Sequence, residues 1–186
     1  MADSKRVAET RLTLAQIMTP TDANILGNVF GGSILAMIDL TASATAQQFC
    51  GHISVTASFD RVDFHEPIEV GNLVTMEGVV TYVGRTSMEI SIDVYSSNLA
   101  LGIKRHTNKA RVTMVAVENG KPVLVPGLIC ESREEKMRFL EGKLRRELRQ
   151  QLWADLEAQY ARFAQLEEAE LDRLMAAPKI AQELGL

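Results

Sequence analysis

The chain has 186 residues, of which 46% are hydrophobic and 24% are charged, and its formal net charge is −4. This acidic balance argues against a nucleic-acid-binding protein, because such proteins normally carry a surplus of basic residues. No apolar run approaches the roughly 20 residues that a membrane-spanning helix needs, and the first residues lack the apolar part of a signal peptide. We therefore expect a cytoplasmic protein without a membrane span. Cys50 and Cys130, the two cysteines, have neither metal-binding spacing nor a disulfide framework.

The first third of the chain predicts one strand and one apolar helix. Residues 10–19 (TRLTLAQIMT) carry alternating leucines, which is typical of a strand with one buried face. A glycine-rich turn, LGNVFGG, follows, and from Ser33 to about Gln48 the sequence is apolar and rich in small residues. Such a helix is buried on most sides, and Gly51 is expected to end it. A carboxylate in the middle of this helix, that of Asp39, is therefore unexpected, because desolvating an unpaired carboxylate costs several kcal/mol.

Four segments with a two-residue alternation follow the helix. They cover residues 53–67, 72–84, 86–96 and 103–117 and are joined mostly by short turns, which predicts antiparallel pairing. In the first segment Val55, Ala57 and Phe59 alternate, and the phase then shifts near Asp60–Arg61, which predicts a β-bulge there. A long antiparallel sheet wrapped around one apolar helix is an α+β architecture.

The last third of the chain is highly charged and predicts a long amphipathic helix. From Gly142 to Pro178 it contains no further Gly or Pro, and apolar residues recur every three or four positions. They form one stripe, which needs a surface to lie on, either another part of a subunit or a second copy of itself. We expect one domain at residues 10–128 and a C-terminal helical extension at 131–186. The stripe consists of Leu140, Leu144, Leu148, Leu152, Leu156, Tyr160 and Phe163.

Three segments together resemble the hotdog-fold acyl-CoA thioesterases. They are DANILGNVFGGSILAMID (22–39), VTYVGRTSMEISIDVYS (80–96) and HTNKARVTMVAVENGKPVLVP (106–126). The resemblance is to the cytosolic acyl-CoA hydrolases and the short bacterial acyl-CoA thioesterases, and it covers roughly residues 10–128. It implies a central helix wrapped by the sheet, pairing of two hotdogs into a dimer, and assembly into a trimer of dimers, a homohexamer. The helix beyond about residue 148 has no counterpart in this resemblance.

The resemblance also implies the hydrolysis of fatty acyl-CoA to a free acid and CoA at the dimer interface. Asp39 of one subunit and Asn24 of the other would be the catalytic residues, with Asp39 acting as a general base on water or as a nucleophile. Because free N–H groups at a helix start point at negative charge, Gly32 and Gly31 are candidates for stabilising the oxyanion. No cofactor and no metal are expected, since CoA is part of the substrate.

The phosphates of CoA need donors and positive charge. The GRTS segment places Arg85, Thr86 and Ser87 at a strand start, where N–H and hydroxyl groups can converge on phosphate. Lys109 is a second candidate for CoA. Asn28 is a candidate substrate contact and the alternative to Asn24 in orienting water or the carbonyl.

Other interpretations of the same residues remain open. Asp39 could pair with a basic neighbour in a dimer contact, Asn24 could only shape a turn, and Arg85 could be a solvated charge. Many relatives of the family have His before the two glycines, where this chain has Phe30. A hotdog dehydratase would need a His near the helix, and residues 22–50 contain none. A non-catalytic acyl-CoA-binding regulator, or an assembly module with incidental hydrolysis, is the other alternative.

Overall fold

The computed structural model describes residues 4–60, 62, 64 and 66–183. The helices and strands alternate with short connections, and two short 3₁₀ helices occupy Val7–Thr10 and Pro20–Asp22. The strands are β1 (Lys5–Arg6), β2 (Leu12–Ile17), β3 (Ile53–Phe59), β4 (Leu73–Val83), β5 (Ser87–Asn98), β6 (Ile103–Glu118), β7 (Lys121–Pro122) and β8 (Leu128–Ile129). The helices are α1 (Gly31–Cys50), α2 (Arg133–Phe163), α3 (Glu168–Ala176) and α4 (Ile180–Glu183).

One antiparallel sheet dominates the fold. Its strands lie in the order β2-β4-β5-β6-β3, β7 pairs with β6, and β1 pairs with β8 in a separate parallel pair. α1 packs across the inner face of β3 to β6, and its Ile34, Ile38 and Phe49 are buried against apolar side chains of those strands. The predicted α+β architecture, a long antiparallel sheet around one central helix, is confirmed.

α1 approaches the sheet closely at a glycine. A Cβ atom added at Gly78 of β4 would lie 2.5 Å from Thr45 Oγ1 and 3.2 Å from Thr41 Cγ2. Both threonines are buried and their hydroxyls donate to helix carbonyls one turn earlier, so they cannot easily move away. The helix ends as predicted at Gly51, whose φ of 73° forms a left-handed cap.

The strand after the helix is shorter than predicted. β3 ends at Phe59 instead of residue 67, and its register shifts between Thr56 and Ser58. The bulge predicted near Asp60–Arg61 stays a prediction, because Arg61 lies outside the described residues. Val55 is 47% exposed and Ser54 is buried, so the apolar alternation faces away from the core of this chain. The physical reason is that β3 is an edge strand and its polar residues find partners on α1.

The long C-terminal helix begins at Arg133 and ends earlier than predicted. Ser132 and Glu135 cap its start, because Ser132 Oγ accepts from Glu135 N–H and the Glu135 carboxylate accepts from Ser132 N–H. The hydrogen bonds that the backbone N–H groups of Ser132 and Glu131 donate to the carboxylate lower the pKa of Glu135. The helix stops at Phe163 instead of continuing to Pro178. A turn at residues 164–167 brings α3 back so that Leu174 is buried, which one straight helix would leave exposed.

The chain divides into two compact units between Lys143 and Leu144. The predicted domain, 10–128, lies within the first unit, and the predicted extension begins in the first unit and continues into the second. In the first unit, Phe139 of α2 stacks on Tyr82 with ring centroids 5.0 Å apart, on the outer face of the sheet. Across the described part of the chain, every helix is too short or too polar to cross a membrane.

Candidate active site

The loop before α1 is built around Asn24. Its side-chain Oδ1 accepts hydrogen bonds from the N–H groups of Leu26 (2.8 Å) and Asn28 (3.2 Å). Its backbone N–H donates to Asn28 O at 2.7 Å, and Gly27 turns the chain with a φ of 80°. The carbonyl oxygen of Asn24 therefore shapes the loop, which leaves the side-chain NH₂ group as its donor toward a ligand.

Asp22 holds the two ends of this loop together. Its carboxylate accepts from the N–H (2.8 Å) and the hydroxyl (2.7 Å) of Thr19, and its carbonyl accepts from Phe30 N–H at 2.7 Å. The backbone N–H of Thr19, and then its hydroxyl, lower the pKa of Asp22 below the ordinary value. The loop is thus fastened just before the first turn of the helix.

Two glycines form the first turn of α1. The N–H groups of Ser33 and Ile34 both donate to Phe30 O, at 3.0 and 3.4 Å. Within the described part of the chain, the N–H groups of Gly31 and Gly32 donate to no acceptor. These two donors at the positive end of a helix are suited to an oxyanion. The oxyanion role of Gly31 and Gly32 stays a prediction, and the ring of Phe30 lies against Gly32.

A cavity of about 360 Å³ opens beside this glycine turn. Asn24, Asn28 and Gly31 contribute its polar groups together with the exposed Glu66. The rest of its wall is apolar, and the ring of Phe64 lies 3.5 Å from where a Cβ of Gly31 would be. The apolar wall consists of Leu26, Val29, Ile34, Phe64, Pro67 and Ile68.

Asp39 lies further along α1 and contacts β3. Its Oδ1 accepts a hydrogen bond of 2.5 Å from the hydroxyl of Thr56. The carboxylate is half-buried, and in residues 4–60, 62, 64 and 66–183 no Lys, Arg or His forms an ion pair with it. Its neighbour Leu40 is 63% exposed. Among the described residues, the carboxylate of Asp39 is therefore held by one hydroxyl and is not paired with a cation.

The structure brings some of the predicted site residues together and separates others. Asn24, Asn28 and Gly31 share the cavity, whereas Asp39 is not among its lining residues. Eight residues along one helix correspond to roughly 12 Å, so Asp39 is too far from Gly31 for one water to touch both groups within a single chain.

The predicted CoA residues are also divided. Arg85 is exposed in the turn between β4 and β5, where Ser87 O accepts from Gly84 N–H at 2.8 Å. Ser87 pairs with Val115, which pairs with Val55, so this turn lies at the same end of the sheet as Thr56. Thr86 is half-buried in the same turn.

Lys109 and Asn28 lie away from the Arg85 turn. The ammonium of Lys109 is 3.5 Å from Asp93 Oδ1, which His106 also contacts at 3.0 Å, and the register places Lys109 opposite Asp93 in the middle of β5. Asn28 belongs to the cavity beside Asn24. The Arg85 turn and the Asn24 loop lie at opposite ends of β4.

Thr56 was not among the residues predicted from the sequence. It lies in a strand with mixed apolar and polar alternation, ISVTASF, and only the position of α1 shows which face meets Asp39. The signal that could have found it is the polar alternation of Ser54 and Thr56 directly after the helix. Among the described residues no cluster of three His, Cys, Asp or Glu side chains is placed to hold a metal ion.

Comparison with known proteins agrees with the fold. Residues 26–103 match the family model described as the thioesterase superfamily. An uncharacterized acyl-CoA thioester hydrolase of Bacillus subtilis is 38% identical over 69% of this chain and 76% of its own length. A hexameric acyl-CoA thioesterase, solved as the apo form, is 40% identical with a TM-score of 0.77 over 82% of this chain and 98% of its own.

A second solved structure carries ligands. The acyl-CoA hydrolase of Staphylococcus aureus, in complex with butyryl coenzyme A, coenzyme A and coenzyme A disulfide, is 30% identical with a TM-score of 0.76. The match covers 87% of this chain and 99% of that one. The sheet wrapped around α1, the glycine turn and these relatives lead to one conclusion: the chain belongs to the thioesterase superfamily, among the hotdog-fold acyl-CoA thioester hydrolases.

Proposed function

We propose that this chain hydrolyses fatty acyl-CoA to a free acid and CoA, at a site shared between two copies. The observation that carries the proposal is the carboxylate of Asp39, half-buried on an apolar helix, held by Thr56 at 2.5 Å and free of any cation among the described residues. Placing a carboxylate there without a cation costs free energy, so we take Asp39 as a group that acts on a ligand. One copy supplies Asp39, Thr56 and the Arg85 turn.

The second copy supplies the Asn24 loop, the glycine turn and the cavity. Asp39 and Gly31 are too far apart in one chain, and the Asn24 loop lies at the opposite end of β4 from the Arg85 turn. No described strand pairs with the outer side of edge strand β3, and Leu40 and Val55, near Asp39, are 63% and 47% exposed. A two-fold pairing at this surface covers those side chains and completes two equivalent sites.

The chemistry is the addition of water to the thioester carbonyl. Asp39 removes a proton from the water as its oxygen bonds to the carbonyl carbon, and the carbonyl oxygen becomes an oxyanion. The N–H groups of Gly31 and Gly32 stabilise that charge, and the NH₂ group of Asn24 orients the carbonyl. The oxyanion then re-forms the C=O bond as the C–S bond breaks, and the thiolate of CoA takes from Asp39 the proton that Asp39 removed from water. Water and side chains suffice for this reaction, so no metal or cofactor is required.

The two ends of the substrate have different surroundings. The acyl chain enters the cavity of about 360 Å³, whose wall is mostly apolar, because its transfer from water is favourable. The nucleotide end lies toward the exposed guanidinium of Arg85, with Thr86 and Ser87 beside it. Lys109 is the weaker candidate for CoA because Asp93 already pairs with it.

The Staphylococcus aureus hydrolase supports the choice of residues. It has been solved as three separate variants, in which one asparagine, one aspartate and one threonine were each replaced by alanine. The spacing from its asparagine to its aspartate equals that from Asn24 to Asp39, and the spacing from its aspartate to its threonine equals that from Asp39 to Thr56. The hexameric relative supports a trimer of dimers for this chain.

The test is the release of CoA from a series of saturated acyl-CoA substrates, measured with a thiol reagent. The parent protein is expected to release CoA, with a preference for fatty acyl over acetyl substrates. Prolonged dialysis against a chelator should leave the rate unchanged. Tight binding of the same substrates without release of CoA would contradict hydrolysis and would favour the acyl-CoA-binding regulator.

A further inference from the structure

The cavity beside the glycine turn has an exposed mouth and a buried inner wall. Three of its lining side chains, which form this inner wall, are almost fully buried: Ile34 (1% exposed), Ile68 (4%) and Val29 (7%). Two others, Leu26 and Phe64, are 79% and 49% exposed and therefore lie at the mouth. A hydrocarbon chain that enters the cavity from solvent thus meets the inner wall last.

The inner wall is held in place by the backbone and by the core. The N–H of Val29 donates to Ile68 O at 2.8 Å, and a bridge between Asn28 and Glu69 continues this pairing. Ile34 belongs to the first turn of α1. All three wall side chains are members of the main hydrophobic core. Because a close-packed core yields little, the size of these side chains sets the position of the wall.

The glycine turn and the inner wall lie along the same side of α1. Gly31 and Ile34 are three residues apart, which makes them neighbours on the helix surface, and both line the cavity. A thioester whose carbonyl oxygen is bound by the N–H groups of Gly31 and Gly32 therefore has the start of its acyl chain at the cavity, with Ile34 one helical turn further on.

The volume and the lining of the cavity limit what fits inside it. A methylene group needs roughly the 30 Å³ that a water molecule takes in the liquid, so a cavity of about 360 Å³ holds no more than about twelve carbons. Among the described residues that line it, Glu66 is the one charged side chain; it is exposed and pairs with Arg105 at 3.4 Å. The buried part of the lining is therefore suited to an uncharged hydrocarbon chain.

We infer that the inner wall of Ile34, Ile68 and Val29 determines the longest acyl chain that the site accepts, and that the substrates are medium-chain acyl-CoAs of up to about twelve carbons. The inference rests on the proposed function, because it takes the thioester to be hydrolysed at the glycine turn. Each methylene group that the cavity buries should raise kcat/KM about fourfold until the chain reaches the wall. A carbon beyond that limit stays in water or meets the wall, and it adds nothing.

The direct test is the profile of kcat/KM against chain length, from acetyl-CoA to palmitoyl-CoA. Ile34→Ala removes three carbon atoms from the wall, so the longest accepted chain should grow by about two to four carbons, and kcat/KM for a chain two carbons beyond the parent's limit should rise about tenfold. Ile34→Val removes one methyl group and should lengthen the limit by about one carbon, so the test stands even if Ile34→Ala does not fold. Val29→Leu enlarges the wall and should shorten the limit.

Ile38→Ala is the matched control. Ile38 lies one turn beyond Ile34 on α1 and is fully buried, but it does not line the cavity. Its replacement should destabilise the fold about as much as Ile34→Ala and leave the chain-length profile unchanged. A profile that shifts equally in Ile34→Ala and Ile38→Ala, or in neither, would overturn the role of the wall.

The other outcomes separate this inference from the proposed function. If kcat/KM of the parent protein keeps rising to palmitoyl-CoA, the size limit is overturned while hydrolysis stands. If the parent protein binds the acyl-CoA series without hydrolysing it, the proposed function fails. The Kd of each chain length then tests the wall, and a limit that shifts in Ile34→Ala but not in Ile38→Ala would still support it.

Discussion

α1 and α2 both expose apolar side chains, but the two helices differ in what lies among those side chains. Around Leu40 of α1 are a carboxylate held by a hydroxyl and, at the start of the helix, two unpaired N–H donors. The exposed apolar side chains of α2 are leucines, Met137, Trp153 and Tyr160, and ordinary surface charges lie between them. The first surface combines apolar burial with groups that can move a proton, and the second offers burial alone.

The difference shows that exposed apolar area by itself does not identify a catalytic surface. What separates the two helices is the polar chemistry embedded in each. Asp39 has no cation among the described residues and Thr56 points a hydroxyl at it, whereas Lys143 and Glu157 on α2 are exposed charges. The predictions below test this distinction, beginning with the largest expected effect.

Replacing the carboxylate of Asp39 should cause the largest loss of activity. Asp39→Asn keeps the shape and an oxygen for Thr56 but cannot accept a proton, so kcat should fall by about 10²- to 10⁴-fold. The measurement is steady-state release of CoA, with unfolding monitored by circular dichroism. Asp93→Asn, a carboxylate on the outer face of the sheet, is the control and should keep the parent's rate. If Asp39→Asn is as active as the parent protein, Asp39 does not take part in catalysis.

Substitutions at two glycines compare how closely α1 and α2 pack against the sheet. Gly78→Ala should lower the free energy of unfolding by about 1–3 kcal/mol, because the new Cβ meets Thr45 and Thr41. Gly142→Ala meets Tyr82 Cβ at 2.5 Å, but alanine also favours the helix by about 1 kcal/mol, so its loss should be smaller. Urea denaturation measures both.

A double substitution identifies the cause of the Gly78 effect. If steric overlap is responsible, Thr45→Ala combined with Gly78→Ala should cost less than the sum of the two single changes. Strictly additive losses would show that α1 does not press on β4 at this glycine.

Thr56 should affect the rate less than Asp39. Thr56→Ala removes one hydrogen bond to a carboxylate, and we expect kcat to fall about tenfold with little change in KM. Thr56→Ser keeps the hydroxyl and should recover most of the rate, which a purely structural role for the methyl group would not allow. A serine variant as slow as the alanine variant would contradict the orienting role.

The smallest effect concerns the loop that carries Asn24. Thr19 donates to the ionised form of Asp22, so the pKa of Asp22 is lower in the folded chain than its ordinary value of 3.8. The stability from this carboxylate is therefore complete above that value and is lost as the pH falls through the lower folded-state pKa. Asp22→Ala should be slightly less stable than the parent at pH 7, and the gap should close on acidification. If the difference in stability between the parent and Asp22→Ala is the same at pH 7 and at acidic pH, the side chain stabilises the loop by packing and not by its charge.

The sequence predicted the helices and strands that have a long, uninterrupted apolar periodicity. α1 and the strands from β4 to β6 were expected because their apolar period is unbroken, and the end of α1 was expected from Gly51. Three features were not expected: the end of β3, the bulge within it and the end of α2 at Phe163. They depend on contacts with parts of the chain that are distant in sequence. Ser54 and Thr56 turn inward to meet α1, and α3 turns back to bury Leu174.

The site was predictable as a set of residues but not as an arrangement. The motif singled out Asn24, Asp39 and the two glycines, and the structure shows which groups each one leaves for a ligand. Thr56 was not predicted, because no spacing in the sequence shows that this strand residue contacts Asp39 on the helix. The separation of Asp39 from the cavity is a property of the fold, and it is the reason that we propose a shared site.

Subunit complementation tests the central claim, a site shared between two copies, most directly. Asp39→Asn and Asn24→Ala chains, each inactive alone, are co-expressed so that subunits combine at random. Half of the two-fold pairs are then mixed and each contains one intact site, so activity should recover to about a quarter of the parent's. Mixed pairs that form, as shown by mass spectrometry, but recover no activity would contradict the account.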